Sequence, residues 1–307
     1  MPYDAIKELR TVVKGKILYQ VPLSRYTSLR VGGSADIMLY PANLTELQTV
    51  MCFCRTENVP YFVLGRGSNL VVRDGGIRGI VIKLSRSFKK IKIVKECGNR
   101  ISLLVEAGVS LRRLFTYAVS RGLSGMEFMS GIPGSLGGAL AMNAGAEGRE
   151  MKDITEALTL LTPRATLRET KRAALHFDYR TLDLAKGTVI INASLRLEKH
   201  RTGALRHTSG KGTSWRRRMQ PLNLPSAGSV FKNPPGQSAG QLVEQVGLKG
   251  LRVGKAQISE KHANFIVNRG GATARDVLSL MEIMQNRVYQ ETGILLEHEV
   301  HVVGENA

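Results

Sequence analysis

The sequence predicts an α+β fold made of more than one packed unit. Its 307 residues suggest two or three units rather than one. Hydrophobic residues make up 43% of the chain, which is enough to fill cores in each of them. Strand-like and helix-like segments are mixed along the chain without the strict alternation of a doubly wound parallel sheet, and this mixture favours the α+β class.

Helices are predicted where apolar residues recur every three to four positions after a capping residue. Asn43 with Glu46, and Thr273 with Asp276, have the spacing of capping boxes, and Ser110 is a further N-cap candidate. Pro60 sets a limit to the second helix. The predicted helices cover residues 4–13, 44 to before 60, 110–121, 239–246, and a long segment that starts at 273.

Short runs of aliphatic and β-branched residues predict strands. In the last of them, Glu297, Glu299 and His301 would share one face by the two-residue period of a strand. A metal site on that face is conceivable, but no further His, Cys or acidic ligand is paired with the three, and we expect none. The predicted strands cover residues 35–40, 61–64, 70–72, 80–84, 91–94, 101–107, 157–161, 189–197 and 295–303.

The net charge of +19 is the unusual global property of the chain. Basic residues are dense in segments 83–95 and 206–218, and such charge attracts polyanions: nucleic acid, or substrates and cofactors that carry phosphates. A solvated basic surface is the simpler interpretation. The basic segments lack interleaved aromatic residues apart from Trp215, and no nucleic-acid motif is present, so we expect no nucleic-acid partner.

Cysteine content and apolar runs bear on the compartment. The three cysteines, Cys52, Cys54 and Cys97, are too few and too irregular for a disulfide framework and fit a reducing environment. Neither a signal-peptide pattern nor a stretch of roughly 20 apolar residues occurs. We therefore predict a cytoplasmic protein without membrane contact.

Two glycine clusters are the strongest functional signal of the residues themselves. The first has leucine where a dinucleotide-binding turn needs its third glycine, and neither a P-loop nor a G-x-S-x-G elbow occurs. Two such loops are able to clamp one pyrophosphate from two sides, or to form tight turns where only glycine fits. The clusters are Gly65, Arg66, Gly67, Ser68, Asn69 and Leu70, and Gly131, Ile132, Pro133, Gly134, Ser135, Gly137 and Gly138 followed by Asn143, Ala144 and Gly145.

These two clusters resemble the paired FAD loops of vanillyl-alcohol-oxidase-type flavoproteins, in the form found in the UDP-N-acetylenolpyruvoylglucosamine reductase (MurB) family. Further segments resemble that family in the same order along nearly the whole chain. Glu147, where an aromatic residue is common, and Leu182, where a small polar residue is usual, depart from its pattern. The further segments are residues 27–33 with Arg30, 177–180, 220–222, 225–234, 259–266 and 299–300.

The resemblance implies a two-lobed FAD-binding domain of the vanillyl-alcohol-oxidase (PCMH) type and a smaller α+β substrate-binding domain. The implied boundaries are 1–84 and 85–198 for the two lobes and 199–307 for the substrate domain. Residues 199–225 look irregular and basic, and we interpret them as the linker. The insert of the longer subtype is absent, which indicates the shorter, type II form. We expect a monomer.

The reaction that the resemblance implies is the NADPH-dependent reduction of UDP-N-acetylglucosamine enolpyruvate to UDP-N-acetylmuramate, for peptidoglycan precursors. NADPH would give a hydride to non-covalently bound FAD, and the enolpyruvyl group would then take it from the flavin. Ser229 would protonate the substrate, while Arg180 and Glu299 would stabilise the enolate. Tyr179, Lys232 and Asn233 would contact the substrate.

Other interpretations remain open on the residues alone. Ser229 is also typical of a turn serine, Arg180 of a surface cation, and Glu299 of a polar position in a half-exposed strand. Two other functions are another FAD-dependent oxidoreductase of the same fold, such as an oxidase of small alcohols, and a colourless nucleic-acid binder. For the glycines, we expect a bulky residue at Gly134 or Gly67 to cost flavin occupancy more than fold.

Overall fold

The computed structural model of the chain describes residues 9–199, 216 and 218–307. They divide into two compact units. The first comprises residues 9–19, 37–65 and 79–199, and the second comprises 20–36, 66–78, 216 and 218–307. The predictions for residues 4–8 and for most of the basic segment 199–225 lie outside the described residues. The three-part domain division stays a prediction.

Four of the helices follow the predicted positions closely, and the short helix Leu136–Ala141 was not predicted. The predicted helix over residues 4–13 is described only from residue 9, and residues 9–12 are helical. Each other predicted helix is confirmed to within a few residues. No helix in the described ranges is both long and apolar enough to span a bilayer. The helices are α1 (Leu44–Thr56), α2 (Leu111–Ser120), α3 (Leu136–Ala141), α4 (Ala239–Gln245) and α5 (Ala274–Thr292).

The strands outnumber those that the sequence predicts, because many are only two to four residues long. They are β1 (Lys16–Pro22), β2 (Ser34–Tyr40), β3 (Tyr61–Val63), β4 (Leu70–Val72), β5 (Ile77–Ile82), β6 (Ile91–Cys97), β7 (Arg100–Glu106), β8 (Leu123–Ser124), β9 (Gly145–Ala146), β10 (Arg149–Glu150), β11 (Thr155–Leu161), β12 (Leu167–Lys171), β13 (Phe177–Asp178), β14 (Thr181–Leu182), β15 (Val189–Lys199), β16 (Ser226–Ser229), β17 (Arg252–Val253), β18 (Ala256–Ile258), β19 (Phe265–Asn268) and β20 (His301–Val303).

A large antiparallel sheet forms the centre of the first unit. Its strand order is β12-β11-β15-β7-β6, and β8 also pairs with β15. Along β7, Ile101, Leu103 and Val105 are buried while their neighbours are partly exposed, which is the alternation that predicted the strand. A smaller sheet has the order β1-β2-β5-β3, and α1 contributes buried residues to the same core.

The N-terminus of α1 differs from the predicted capping box in one respect. Asn43 Oδ1 accepts a hydrogen bond from Glu46 N at 3.0 Å, as expected for an N-cap. The Glu46 carboxylate does not return the bond, because it accepts from Gly15 N at 2.8 Å and Ala42 N at 3.2 Å. A residue predicted to act locally therefore joins two distant parts of the first unit. Near the end of α1, burial raises the pKa of Cys54 to about 12, so this thiol is an unreactive core residue.

The second unit has its own sheet and core. Its strands pair antiparallel in the order β16-β19-β18-β17, and the apolar face of α5 belongs to the same core. The capping box of Thr273 and Asp276 is confirmed. Asp74 adds a second cap, since its two carboxylate oxygens accept hydrogen bonds from Ala274 N at 2.8 Å and Arg275 N at 2.9 Å.

The predicted final strand over residues 295–303 is wrong except for β20. Glu299 N and Val300 N both donate to Val230 O, so the chain bends where the prediction has a regular ladder. Leu296 and Val300 are buried whereas Leu295 is 67% exposed, and the shared face of Glu297, Glu299 and His301 does not form. Within the described ranges, no group of three His, Cys, Asp or Glu residues is arranged to hold a metal ion.

Candidate active site

The two glycine clusters meet at Gly65 and Ser135 within the first unit. A Cβ atom placed on Gly65 would lie 2.6 Å from Ser135 Oγ, so no side chain fits between the two loops. Lys83 is buried beneath them and its Nζ donates a hydrogen bond to Gly65 O at 2.7 Å. A buried ammonium group thus fixes the peptide that opens the first loop.

The second glycine cluster is docked onto the turn that follows β7. Gly137 N donates to Ala107 O at 2.9 Å, and Leu136 N donates to Val109 O at 2.8 Å. A Cβ atom on Gly137 would lie 3.0 Å from that of Ala107, so this glycine allows close packing of the loop against the sheet. Since its N–H is already used, Gly137 supports the loop and does not donate to a cofactor.

Three other glycines of the second cluster are exposed or half-buried. Gly131 has a φ of 74° and Gly134 has a φ of 151°. Steric clashes of a side chain disfavour both backbone conformations in residues other than glycine. A Cβ atom on Gly138 would have only Ser135 Oγ within 4 Å, at 3.5 Å. Gly138, Gly131 and the adjacent Pro133 are exposed, and Ile132 and Gly134 are half-buried. Bare, accessible backbone of this kind fits the pyrophosphate of a dinucleotide.

Gly67 requires a correction. It is buried with a φ of 63°, and a Cβ atom there would lie 2.8 Å from Thr27 Cα as well as against Tyr26 O. Its own carbonyl accepts a hydrogen bond from Ser28 N at 2.9 Å. A side chain at Gly67 would disrupt the packing of the second unit itself, so the expectation that the flavin suffers more than the fold does not hold at this position.

The remaining loop residues are placed as follows. Arg66 and Arg30 are exposed, and Arg30 has a left-handed φ of 58°. The buried amide of Asn268 donates to Leu29 O at 3.0 Å and Arg30 O at 3.3 Å, which holds that turn. Ser68 and Asn69 are half-buried, and Leu70 begins β4. Their side chains are therefore presented by a rigid strand end.

The turn from β9 to β10 carries the end of the second cluster. Ala146 pairs with Arg149, which leaves Glu147 and Gly148 as a two-residue turn with φ values of 55° and 77°. Two positive φ values are typical of a type I′ hairpin. Ala144 is bound by main-chain hydrogen bonds at both groups, from Ala144 N to Ala139 O and from Met151 N to Ala144 O.

Arg180 lies in a two-residue turn of the first unit, between β13 and β14. Asp178 pairs with Thr181, so Tyr179 and Arg180 form the turn, and Tyr179 N donates to Asp178 Oδ1 at 2.6 Å. Arg180 has a φ of 60°, where glycine is the usual residue, and its guanidinium carbon lies 5.0 Å from the centre of the Tyr179 ring. Strain of this kind persists where the side chain is needed. Leu182, the departure from the family pattern, is buried, so an apolar residue suits it.

Ser229 ends strand β16 of the second unit after a bulge. The pairing of β16 with β19 shifts register between Ser226 and Ser229, and Gly228 has a φ of 81°. A bulge bends the strand and redirects the following side chain. Ser229 pairs with Phe265 and is half-buried. The bulge therefore places half-buried Ser229 at a strand end that pairs with β19.

The loop from β18 to β19 holds the segment after Ser229. Buried Asn264 accepts from Phe231 N at 3.0 Å with its Oδ1 and donates to Phe231 O at 2.8 Å with its Nδ2. His262 Nδ1 accepts from Asn264 N at 3.2 Å, and Ser259 Oγ accepts from Lys261 N at 3.1 Å. The motif over residues 259–266 is thus a scaffold for Ser229.

Glu299 is tied to the Ser229 segment within the second unit. Glu299 N donates to Val230 O at 2.8 Å, next in sequence to Ser229. Asn69 Nδ2 donates to Glu299 O at 2.8 Å. The structure thereby connects the Ser229 and Glu299 segments through the main chain, and Asn69 to Glu299 through its side-chain amide, whereas Arg180 belongs to the first unit.

Lys232 and Asn233 follow directly on that segment. Lys232 Nζ lies 3.2 Å from Glu297 Oε2, in an ion pair whose side chains are 30% and 73% exposed. Asn233 Oδ1 accepts from Ala239 N at 3.0 Å, so its oxygen is used at the start of α4. We therefore expect the amide N–H groups of Asn233, and not its oxygen, to contact a ligand.

Three histidines of the second unit have lowered pKa values. Burial lowers the pKa of His262, and the charge of Lys249 contributes. The pKa values of His298 and His301 shift in the same direction through partial loss of hydration, with Lys232 also contributing at His301, although both residues are exposed to solvent. His298 Nε2 lies 3.1 Å from Gln285 Oε1.

Several functional residues were missed from the sequence. Lys83, Asn264, Glu150 and Asp178 act through the groups that they hold, over separations that the sequence does not display. For Lys83 a signal exists, because the residue stands within the otherwise aliphatic run 80–84 and a lysine there must be paired if the run is buried.

Comparisons with known proteins bear on these features directly. Residues 35–171 match the FAD binding domain, and residues 220–303 match the C-terminal domain of UDP-N-acetylenolpyruvoylglucosamine reductase. A UDP-N-acetylenolpyruvoylglucosamine reductase of Syntrophus aciditrophicus is 45% identical over 300 residues, which cover 98% of this chain and 96% of that protein. The chain belongs to the UDP-N-acetylenolpyruvoylglucosamine reductase family.

Further relatives extend the family match to structure. The reductase of Geobacter metallireducens is 44% identical over 297 residues, or 97% of each chain. The crystal structure of the Thermus caldophilus member superimposes with a TM-score of 0.80 at 37% identity, covering 95% of this chain and 99% of that one. The predicted fold class and family are confirmed. As a member of the UDP-N-acetylenolpyruvoylglucosamine reductase family, the chain is an FAD-containing oxidoreductase.

Gly138 offers a sharp test of the cofactor surface. Because a Cβ atom there would make only an ordinary contact with Ser135 Oγ and the residue lies within α3, we expect Gly138→Ala to raise the free energy of unfolding of the apoprotein by about 0.5–1 kcal/mol. The same methyl group would keep the FAD pyrophosphate away from the backbone and weaken FAD binding by about tenfold, or about 1.4 kcal/mol. Chemical denaturation and fluorescence titration measure the two effects.

Gly67→Ala is the contrasting variant, since its Cβ atom collides with protein. We expect it to lower the free energy of unfolding. An FAD affinity of Gly138→Ala equal to that of the wild type would remove Gly138 from the cofactor surface.

Proposed function

We propose that the chain reduces UDP-N-acetylglucosamine enolpyruvate to UDP-N-acetylmuramate, a step of peptidoglycan precursor synthesis, with NADPH as hydride donor and non-covalent FAD. When bound, FAD would supply the redox chemistry of the reaction, the relay of a hydride from NADPH to the terminal carbon of the enolpyruvyl double bond. One observation carries the residue roles: the 2.8 Å hydrogen bond from Glu299 N to Val230 O, which joins the Glu299 and Ser229 segments.

Ser229 is the proposed proton donor. Hydride addition to the terminal carbon leaves negative charge on the α-carbon and the carboxylate, and a proton must reach the α-carbon. A serine hydroxyl is a weak acid, so it serves only if it is held tightly. The support is the strand end on which Ser229 lies, fixed by the pairing with Phe265 and by the two hydrogen bonds of Asn264 to Phe231.

Arg180 and Glu299 are the proposed stabilisers of the enolate. The planar guanidinium of arginine matches a carboxylate with two parallel hydrogen bonds, and these strengthen as charge develops. The strained turn and the stacking on Tyr179 hold the Arg180 guanidinium in a defined position. Glu299 acts beside the enolate as a neutral donor or through its hydrogen-bond network.

Tyr179, Lys232 and Asn233 are the proposed contacts of the UDP-sugar. Lys232 is held by Glu297 in a largely exposed ion pair, and such pairs contribute little net stability. A diphosphate carries more charge than one carboxylate and is able to compete for the ammonium group. Lys232 is thus suited to phosphate binding without loss of fold stability.

We also propose a cytoplasmic monomer that does not bind nucleic acid. The support for a reducing compartment is that Cys52, Cys54 and Cys97 are all free thiols. The net charge of +19 is ascribed to a solvated basic surface and to phosphate-bearing ligands. Light scattering after gel filtration tests the monomer, and competition with duplex DNA tests the absence of nucleic-acid binding.

The colour of the purified protein tests the function first. We expect a yellow protein whose flavin passes entirely into solution on acid precipitation, because the two glycine loops give no evident need for a covalent anchor. Under anaerobic conditions NADPH should bleach the flavin, and the enolpyruvyl substrate should restore the colour. A colourless protein that takes up no added FAD would refute the proposal, and anaerobic bleaching of the flavin by a small alcohol in place of NADPH would identify another oxidoreductase of the fold.

A further inference from the structure

Each FAD loop contains one asparagine that binds to protein next to a proposed catalytic residue. In the second unit, Asn69 Nδ2 donates to Glu299 O at 2.8 Å, and Asn69 O accepts from His301 N at 3.1 Å. Asn69 therefore brackets the segment of Glu299 with a side-chain and a main-chain hydrogen bond. The parallel pairing of β4 with β20 begins at the next residue, where Leu70 pairs with His301.

Asn143 has the corresponding place in the first unit. It is fully buried, and its Nδ2 donates to Asp178 O and to Glu150 Oε2, both at 2.9 Å. Its Oδ1 accepts from Lys152 N at 3.0 Å. Both N–H groups and the oxygen of the amide are used within the protein. Asp178 is the residue at which the Tyr179–Arg180 turn begins, and its carboxylate accepts from Tyr179 N.

The Asn143 side chain is thus bound to the chain through both its nitrogen and its oxygen, and the Asn69 side chain is bound to it through Nδ2. Asn143 has a left-handed φ of 40°, which asparagine tolerates better than most residues, so the backbone of the loop and the hydrogen bonds of the side chain specify each other. Any change in the loop that moves Asn143 also moves the start of the Arg180 turn. The same reasoning applies to Asn69 and Glu299.

We propose that Asn69 and Asn143 are positioning residues, which hold Glu299 and Arg180 respectively in the geometry needed to reduce the enolpyruvyl substrate. The inference rests on the proposed function. It predicts a specific division of labour: the asparagine side chains matter little for holding FAD or for reduction of the flavin by NADPH, and they matter for transfer to the substrate.

Asn69→Ala and Asn143→Gly test the two halves separately. Glycine is chosen at Asn143 because it accepts the left-handed backbone while removing the side chain. Asn58→Gly is the matched control, since Asn58 is exposed and has a φ of 51° in the same unit. Circular dichroism verifies the fold of each holoenzyme, and the two asparagines lie in different units, so each variant is informative by itself.

We expect both variants to bind FAD within about threefold of the wild type and to be reduced by NADPH at the wild-type rate. Re-oxidation by the enolpyruvyl substrate should fall by about 10–100-fold, the range expected when a catalytic group is misplaced by an ångström. Stopped-flow absorbance of the flavin follows each half-reaction. In hydrogen–deuterium exchange of the holoenzyme, amides of residues 299–303 should exchange faster in Asn69→Ala, and those of 178–182 faster in Asn143→Gly.

Two outcomes would overturn the inference. Loss of FAD affinity and of NADPH-dependent reduction together with re-oxidation would make the asparagines cofactor ligands, and unchanged half-reactions with unchanged exchange would leave them without a role. Failure of the wild-type protein to be reduced by NADPH would instead refute the proposed function. Even then, the exchange rates of the two segments would decide whether the asparagines position them.

Discussion

Replacing Ser229 by alanine is expected to slow re-oxidation of the reduced flavin by the enolpyruvyl substrate by about 10²–10⁴-fold, the usual contribution of a general acid. Reduction of the flavin by NADPH should proceed at the wild-type rate, because it requires no proton at the substrate α-carbon. The variant removes one hydroxyl from a half-buried strand end and leaves the hydrogen bonds of Asn264 to Phe231 intact. The fold should therefore be unaffected.

Ser226→Ala is the matched control for Ser229→Ala. Ser226 lies at the other end of β16, before the bulge, and pairs with Val267. Stopped-flow absorbance should show both half-reactions of Ser226→Ala at the wild-type rate. If Ser229→Ala slows reduction by NADPH and spares re-oxidation by the substrate, the role of Ser229 as proton donor is wrong.

We expect Arg180→Gly to maintain or raise the free energy of unfolding and to slow re-oxidation of the flavin by the substrate. Arg180 has a φ of 60°, and relief of this strain, offset by the larger entropy of glycine in the unfolded chain, should leave the free energy of unfolding unchanged or raised by up to about 1 kcal/mol. Loss of the guanidinium should slow re-oxidation by the substrate by about 10²–10³-fold, as for other groups that stabilise developing charge. NADPH should still reduce the flavin.

Ala165→Gly serves as the control for the backbone effect. Ala165 has a φ of 59° in the turn that joins β11 and β12, and it has no proposed role in catalysis. Denaturation should show a similar change of stability in both variants, with wild-type half-reactions in Ala165→Gly. Arg180→Lys should recover only part of the rate, since an ammonium group lacks the two-pronged geometry. Wild-type re-oxidation in Arg180→Gly would exclude Arg180 from the reaction.

The long elements of this fold could be predicted from the sequence because their patterns are local. The apolar face of α5 and its capping box, and the alternation along β7, depend on neighbours three, four or two residues apart. Short strands such as β16 and β18 carry too few residues for a period to appear, and they form because distant segments supply their partners. The bend at Glu299 and Val300 was missed for the same reason, since the N–H groups of both residues donate to the distant Val230 O.

For the candidate site, the ordered motifs determined the family, the cofactor and the reaction, because each motif is a run of neighbouring residues. The sequence likewise placed Arg180, Ser229 and Glu299 among the candidates through that resemblance. It gave no physical reason for preferring these roles over a surface cation, a turn serine and a strand carboxylate. That reason needs backbone geometry, such as the positive φ of Arg180 and the bulge before Ser229.

Only the tertiary structure decided what each glycine or asparagine of the two loops contacts. Gly67 packs against Thr27 and Gly137 against Ala107, whereas Gly138 has room for a Cβ atom, although all three read alike as glycines of a phosphate-binding loop. Asn143 and Asn69 turn towards Asp178 and Glu299, 35 and 230 residues away. Hydrogen bonds and steric exclusion act between atoms that folding brings together, and a linear sequence does not contain those distances.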